Sequence, residues 1–141
     1  MASAYGAFAN NGLWLKSTPI LKIEDDKGEI IEENKIASRR VLETSVAALV
    51  NDILSDNEAR SAMFGPRSLL FFENYRVAVK TGTTQGFRDG WAIGFTPSIV
   101  IGVWTGNNDN SPMGKEPGIV FAGPIFHELM QKSLGLNPEG H

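Results

Sequence analysis

Alternation of apolar and polar positions is clearest between Val77 and Gly106. It predicts three antiparallel strands over 77–84, 91–97 and 99–106, joined by short loops and punctuated by Pro97. In the first strand the period of two places Val77, Val79 and Thr81 on one face and Ala78, Lys80 and Gly82 on the other. A helical period governs Val41–Leu54: Val46, Leu49, Val50, Ile53 and Leu54 form one apolar stripe, on a helix starting at Glu43 or Thr44. The turn formers Ser55-Asp56-Asn57 end that helix. A closing helix is predicted over 122–134, with Pro124 at its first position, a buried stripe of Ile125, Phe126, Leu129 and Met130, and Gly135 as its stop. Ala2–Asn11 sets Tyr5, Phe8 and Ala9 at helical spacing, with Gly12 as the C-terminal glycine.

The remaining stretches read as connections. Ile20–Ile23 and Glu29–Ile31 flank the polar turn Asp25–Gly28 and predict a surface hairpin, and Asn34–Arg40 reads as a connector. Residues 58–75 hold a turn signal at Phe64-Gly65-Pro66 and a buried run, Leu69–Phe72. Gly106–Pro112 lacks the ligand spacing of a calcium loop and reads as an Asx-rich turn. Trp91 and Trp104 read as strand core rather than ligand platforms. The fold class is α/β of the α+β type, an antiparallel sheet with flanking helices. The 122–134 helix covers one face and the 44–55 helix lies nearby. Residues 1–136 form one portion of a domain, and the tail 137–141 is expected to fray.

Composition narrows the chemistry. The 141 residues carry a formal charge of −3, which gives no reason to expect nucleic acid or a basic membrane patch as partner. No apolar run approaches the ~18–20 residues of a membrane span, and the start has neither the basic region nor the apolar core of a signal peptide. The absence of cysteine excludes disulfides and thiolate metal sites. With only His127 and His141 as histidines, no metal or other cofactor is expected.

The informative stretch is Lys80-Thr81-Gly82-Thr83-Thr84. An ammonium and a hydroxyl in succession can meet a carboxylate or a developing negative charge. The neighbouring glycine lets a substrate approach the backbone, and the following N–H is available as an oxyanion donor if the strand lines a cleft. The alternative is an edge-strand lysine that guards against aggregation, followed by a turn glycine. Context favours the first. Lys80–Thr84, then Phe87-Arg88-Asp89-Gly90-Trp91, Gly94-Phe95-Thr96-Pro97 and Gly102-Val103-Trp104-Thr105-Gly106 closely resemble the end of the transpeptidase domain of class A penicillin-binding proteins. The resemblance runs from about Met1 to Leu134 and is densest at 79–113.

That resemblance implies a peptidoglycan D,D-transpeptidase that cross-links stem peptides ending in D-Ala-D-Ala by serine acyl transfer and is acylated by β-lactams. It implies catalytic or substrate-binding roles for Lys80, Thr81, Gly82 and Thr83, with Thr84 adjacent, and cleft support from Asp89 and Trp91, where the residues alone also allow Arg88 and Asp89 to be a solvated turn pair. Ala-Ser-Ala-Tyr-Gly at the start lies well inside that domain in the family, so the chain is expected to be a fragment. Its partners would be the remainder of its own domain, the stem peptide and β-lactams. Its parent would be extracytoplasmic and membrane-anchored, with a glycosyltransferase domain; this segment itself would not touch the membrane. No serine here has a lysine three residues later, so the Ser-x-x-Lys nucleophile is absent and the chain alone is expected to be inert. Ser55-Asp56-Asn57 matches a family motif in letters, yet it lies at a helix end close before Lys80, whereas the family's motif precedes the region resembling 1–12. Residues Ala59–Gly65 stand where many members carry Gly-Thr-Gly, and read as a variant loop bordering the cleft. A serine β-lactamase or D,D-carboxypeptidase relative shares Lys-Thr-Gly, and a non-catalytic binding module would need no nucleophile at all. Thr83-Thr84 followed by Asp89-x-Trp91 favours the transpeptidase.

Overall fold

The computed structural model describes residues 1–136, and the expectation for the tail lies outside them. In chain order the elements are α1 (Ala2–Ala9), β1 (Leu13–Leu15), β2 (Lys22–Glu24), β3 (Ile30–Glu33), β4 (Ser38–Arg40), α2 (Thr44–Ser55) and α3 (Asn57–Phe64). Then come β5 (Ala78–Thr83), β6 (Asp89–Phe95), β7 (Val100–Gly106) and α4 (Gly118–Leu136). The mixed helix and strand composition with antiparallel pairing agrees with the expected fold class.

The strands β5, β6 and β7 form one antiparallel sheet in that order. Register sets Lys80 opposite Ile93, Gly82 opposite Trp91, and Trp91 in turn opposite Trp104. Alternation then gives the sheet two apolar faces. One carries Val77, Val79, Ala92 and Val103 and packs on Ala122, Phe126, Met130 and Leu134 of α4. Those four recur every fourth residue and are at most 1% exposed, and each large one contributes roughly 1.5–3 kcal/mol by burial. The other face carries Ala78 and Phe95, covered by Ala9, Tyr5 and Phe8 of α1.

Several boundaries differ from expectation for identifiable reasons. Helix α4 begins at Gly118, so Pro124 lies inside it and removes the N–H that would reach the Val120 carbonyl. The buried row starts at Ala122, which leaves Ile125 and Leu129 nearly half exposed and carries the helix past Gly135. The 34–40 connector contains β4, whose Arg40, Arg39 and Ser38 pair with Leu13, Trp14 and Leu15. Three-residue strands are too short to show a period of two. The hairpin forms as β2 and β3, displaced toward the C-terminal side of the expected spans.

Helix α2 begins at Thr44 as expected, but Ala47 is its one buried residue. Asn51 donates its side-chain N–H to the Phe8 carbonyl at 3.0 Å, which turns the Ala47–Asn51–Leu54 side toward α1 and β5. Val46, Leu49 and Ile53 of the expected stripe are thereby 45%, 66% and 71% exposed. Helix α3 (Asn57–Phe64) takes in Asn57, read as a helix-ending turn residue, and most of the Ala59–Gly65 stretch read as a variant loop. The Asp56 carboxylate accepts the Ala59 N–H at 2.9 Å and caps it, so Ser55-Asp56-Asn57 is the junction of two helices.

Candidate active site

Strand β5 has β6 on one side and no strand on the other, so half of its main-chain groups face outward. Which half is fixed by three contacts. The Thr84 N–H donates inward to the Asp89 carbonyl at 3.1 Å. On the outward side, the Val77 carbonyl accepts from Arg60 at 3.4 Å and the Thr81 carbonyl accepts from the Lys80 ammonium. Alternation therefore turns the Thr83 N–H to the open edge.

A groove of about 280 Å³ runs along this edge, between Val79, Lys80 and Thr81 on the strand and Ile53, Leu54, Arg60, Met63 and Phe64 on the helices, with Asp56 at their junction. Lys80 is exposed and Thr81 half-buried beside it. Burial lowers the affinity of the Arg60 guanidinium for its proton, opposed by the charge of Asp56. The 59–65 segment thus borders the groove as expected, though as helix. A Cβ added at Gly82 would rest in ordinary van der Waals contact on the Trp91 side chain, 3.4 Å from its Cβ. A larger depression of about 810 Å³ lies between residues 63–75 and α4, and none of Lys80–Thr84 lines it.

Behind the edge, the turn after Gly82 is held from two directions. The Thr83 hydroxyl accepts the Gly118 N–H at 2.8 Å, capping the first turn of α4 from another element. The Thr84 hydroxyl donates to Asp89 Oδ2 at 2.8 Å and accepts the Asp89 N–H at 2.9 Å. Asp89 Oδ1 accepts the Trp104 indole N–H at 2.7 Å. The indole hydrogen bond first, then the Thr84 hydroxyl, with help from the Arg88 charge, hold the Asp89 carboxyl below the usual carboxylate range. Arg88 donates to the Asn110 carbonyl rather than pairing with Asp89 through a hydrogen bond.

The structure brings Lys80, Thr81, Gly82, Thr83, Thr84, Asp89 and Trp91 into one edge and its supporting turn. It also separates their tasks. The Lys80 ammonium, the groove beside Thr81 and the Thr83 amide face outward, while the hydroxyls of Thr83 and Thr84 bond to the scaffold. Trp91 is half-buried, and Trp104 is 42% exposed rather than core. Its two-residue offset from Gly106, which pairs with Asp89, frees its indole to reach the carboxylate. Sequence reasoning missed Trp104, Gly118 and Arg60. The Trp-Thr-Gly pattern at 104–106 was a usable signal for the first, but the other two arrive from distant elements. Among the described residues no group of three or more His, Cys, Asp or Glu is placed to hold a metal, and no helix is long and apolar enough to cross a membrane.

The penicillin-binding protein transpeptidase domain family matches residues 1–131 of this chain. Penicillin-binding protein 1A of Aquifex aeolicus (strain VF5) is 38% identical over 143 residues, covering 98% of this chain and 19% of the relative. Penicillin-binding protein 2D of Bacillus subtilis (strain 168) is 29% identical over 144 residues, covering 99% and 20%. The chain thus spans about a fifth of the length of these relatives. In fold it is similar to penicillin-binding protein 1A from Haemophilus influenzae, with TM-score 0.79, 20% identity, and 94% of this chain matched to 25% of that one. It is also similar to penicillin-binding protein A from M. tuberculosis, solved as an imipenem acyl-enzyme complex, with TM-score 0.74, 20% identity, and 94% matched to 30%.

Proposed function

Because the chain belongs to the penicillin-binding protein transpeptidase domain family, we propose that it supplies the Lys-Thr-Gly wall of a serine peptidoglycan D,D-transpeptidase site. The observation that carries this reading is the edge of β5. There an exposed lysine and a half-buried threonine line one side of a groove, and alternation turns the Thr83 N–H to the same open edge beyond it. A serine hydroxyl from elsewhere in the domain attacks the carbonyl of a D-Ala-D-Ala stem peptide, expels D-alanine and forms an acyl ester; an acceptor amine then releases the acyl group. Lys80 and Thr81 hold the terminal carboxylate of the donor. The Thr83 N–H takes the negative charge that develops on the carbonyl oxygen. β-Lactams enter by the same attack, the amide within their ring opening in place of the D-Ala bond.

The remainder of the domain is the natural cover for the apolar side chains left open on α2, Val46, Leu49 and Ile53. Residues 1–136 are then one portion of that domain, within an extracytoplasmic, membrane-anchored protein that also carries a glycosyltransferase domain. The fragment by itself is inert because it holds no Ser-x-x-Lys.

The test is the second-order rate of acylation by a fluorescent penicillin in the full-length protein carrying this segment. Lys80→Ala removes a charge-assisted contact of roughly 1.5–3 kcal/mol, so the rate should fall about 10–150-fold. Lys80→Arg keeps the charge but brings a planar fork, and should also be slow. Equal rates in all three proteins would leave the lysine as an edge guard and remove the proposal's basis.

A further inference from the structure

The aim of the Thr83 amide depends on the turn that follows it, and that turn is bonded to one carboxylate. Asp89 Oδ2 and the Asp89 main chain hold Thr84 through three contacts of 2.8, 2.9 and 3.1 Å. The other carboxylate oxygen bonds the Trp104 indole N–H at 2.7 Å. Trp104 reaches it because Gly106 has no side chain: a Cβ there would lie 2.5 Å from the indole Cζ2. Gly106 is also the register partner of Asp89, so the ring passes over the glycine directly beside the carboxylate. An exposed tryptophan whose N–H is spent on a turn carboxylate, across a strand that clears its path, does little for the core.

We infer that Trp104 is a positioning residue for acyl transfer: its indole N–H fixes the Asp89 carboxylate, which fixes Thr84 and so aims the Thr83 N–H. The inference rests on the function proposed above. Trp104 touches no reacting atom. It narrows the directions available to an oxyanion donor, and misplacement of such a group by an ångström costs up to ~100-fold in rate. Initial non-covalent binding does not use the oxyanion contact, which matures in the transition state, so the loss falls on the acylation step.

The experiment uses the full-length protein and a fluorescent penicillin, with the acylation rate constant and the non-covalent dissociation constant measured separately. Trp104→Phe keeps an aromatic side chain but deletes the N–H along with the five-membered ring that carries it. It should lower the acylation rate constant about tenfold while the dissociation constant stays within about twofold. Gly106→Ala displaces the indole and should give a similar loss, with no further loss when combined with Trp104→Phe. Asp89→Ala with Trp104→Phe should be no slower than Asp89→Ala alone, because the two act in series. A wild-type acylation rate in Trp104→Phe, or losses that multiply in the double variants, would overturn the inference. Lys80→Ala in the same assay separates the two levels. If it is slow while Trp104→Phe is normal, only the positioning role fails; if it is as fast as wild type, the underlying function fails and the inference with it.

Discussion

Thr83 joins the edge proposed to be catalytic to the scaffold, and Thr83→Val separates those two tasks. Valine has the same shape and keeps the main-chain N–H, but it cannot accept the Gly118 N–H that the threonine hydroxyl takes at 2.8 Å. Gly118 is buried against the sheet: a Cβ there would lie 2.4 Å from the Gly82 carbonyl oxygen and 2.6 Å from the Gly90 Cα. Its amide is one of the first four of α4, which have no partner within the helix. Leaving a buried donor unpaired costs about 1–3 kcal/mol. Thr83 itself is exposed, so water can reach the vacated position, which favours about 1–2 kcal/mol. The penalty is local, because it falls on the first turns of α4. It should therefore appear as about 5–30-fold faster hydrogen exchange of amides near 118–124, with the centre of α4 unchanged. Thr83→Ser restores the acceptor and should restore the protection. Unchanged exchange in Thr83→Val, or equally fast exchange in Thr83→Ser, would refute the capping argument.

Three further variants test the turn and the packing of the sheet and helices. Asp89 titrates below its ordinary range in the folded protein, so its contribution is present above the unfolded-state value and is lost as pH falls through the folded one. Melting curves of wild type and Asp89→Asn should thus differ at neutral pH and converge in acid; a difference that grows on acidification would contradict this sign. Gly94→Ala should destabilise by about 1–3 kcal/mol, because a Cβ there lies 2.4 Å from Phe126 Cζ and 2.9 Å from the Ala78 carbonyl oxygen. In contrast, Gly6→Ala on α1 meets nothing within 4 Å and should raise stability by up to about 1 kcal/mol. Denaturation midpoints of the two variants falling on the same side of wild type would count against the packing described.

Local pattern was enough for the parts of this protein that bury alternate side chains. The period of two at 77–84 and 99–106 specified the outer two strands of the sheet, and the middle one, expected from Trp91, begins at Asp89 because the turn residues themselves pair. Lys80, Thr81 and Gly82 are contiguous, so their place at one edge was legible in the order of the letters. The catalytic-wall role proposed for them came from the family resemblance, since strand and spacing only permit that role. What the tertiary structure decided is everything that depends on a distant neighbour. The helical stripe of α2 gave the correct helix, yet the Asn51 bond to Phe8 chose a different side to face inward. Pro124 looked like a helix start because a proline is cheapest there, but packing of Ala122 and Phe126 on the sheet extends α4 back to Gly118. Thr83 meets Gly118, 35 residues away, and Trp104 meets Asp89, 15 residues away, through hydrogen bonds that no local period encodes. A one-dimensional pattern reports which residues leave water. Which atoms they then meet is set by how the elements pack, and at this site that packing holds the turn behind the Thr83 amide.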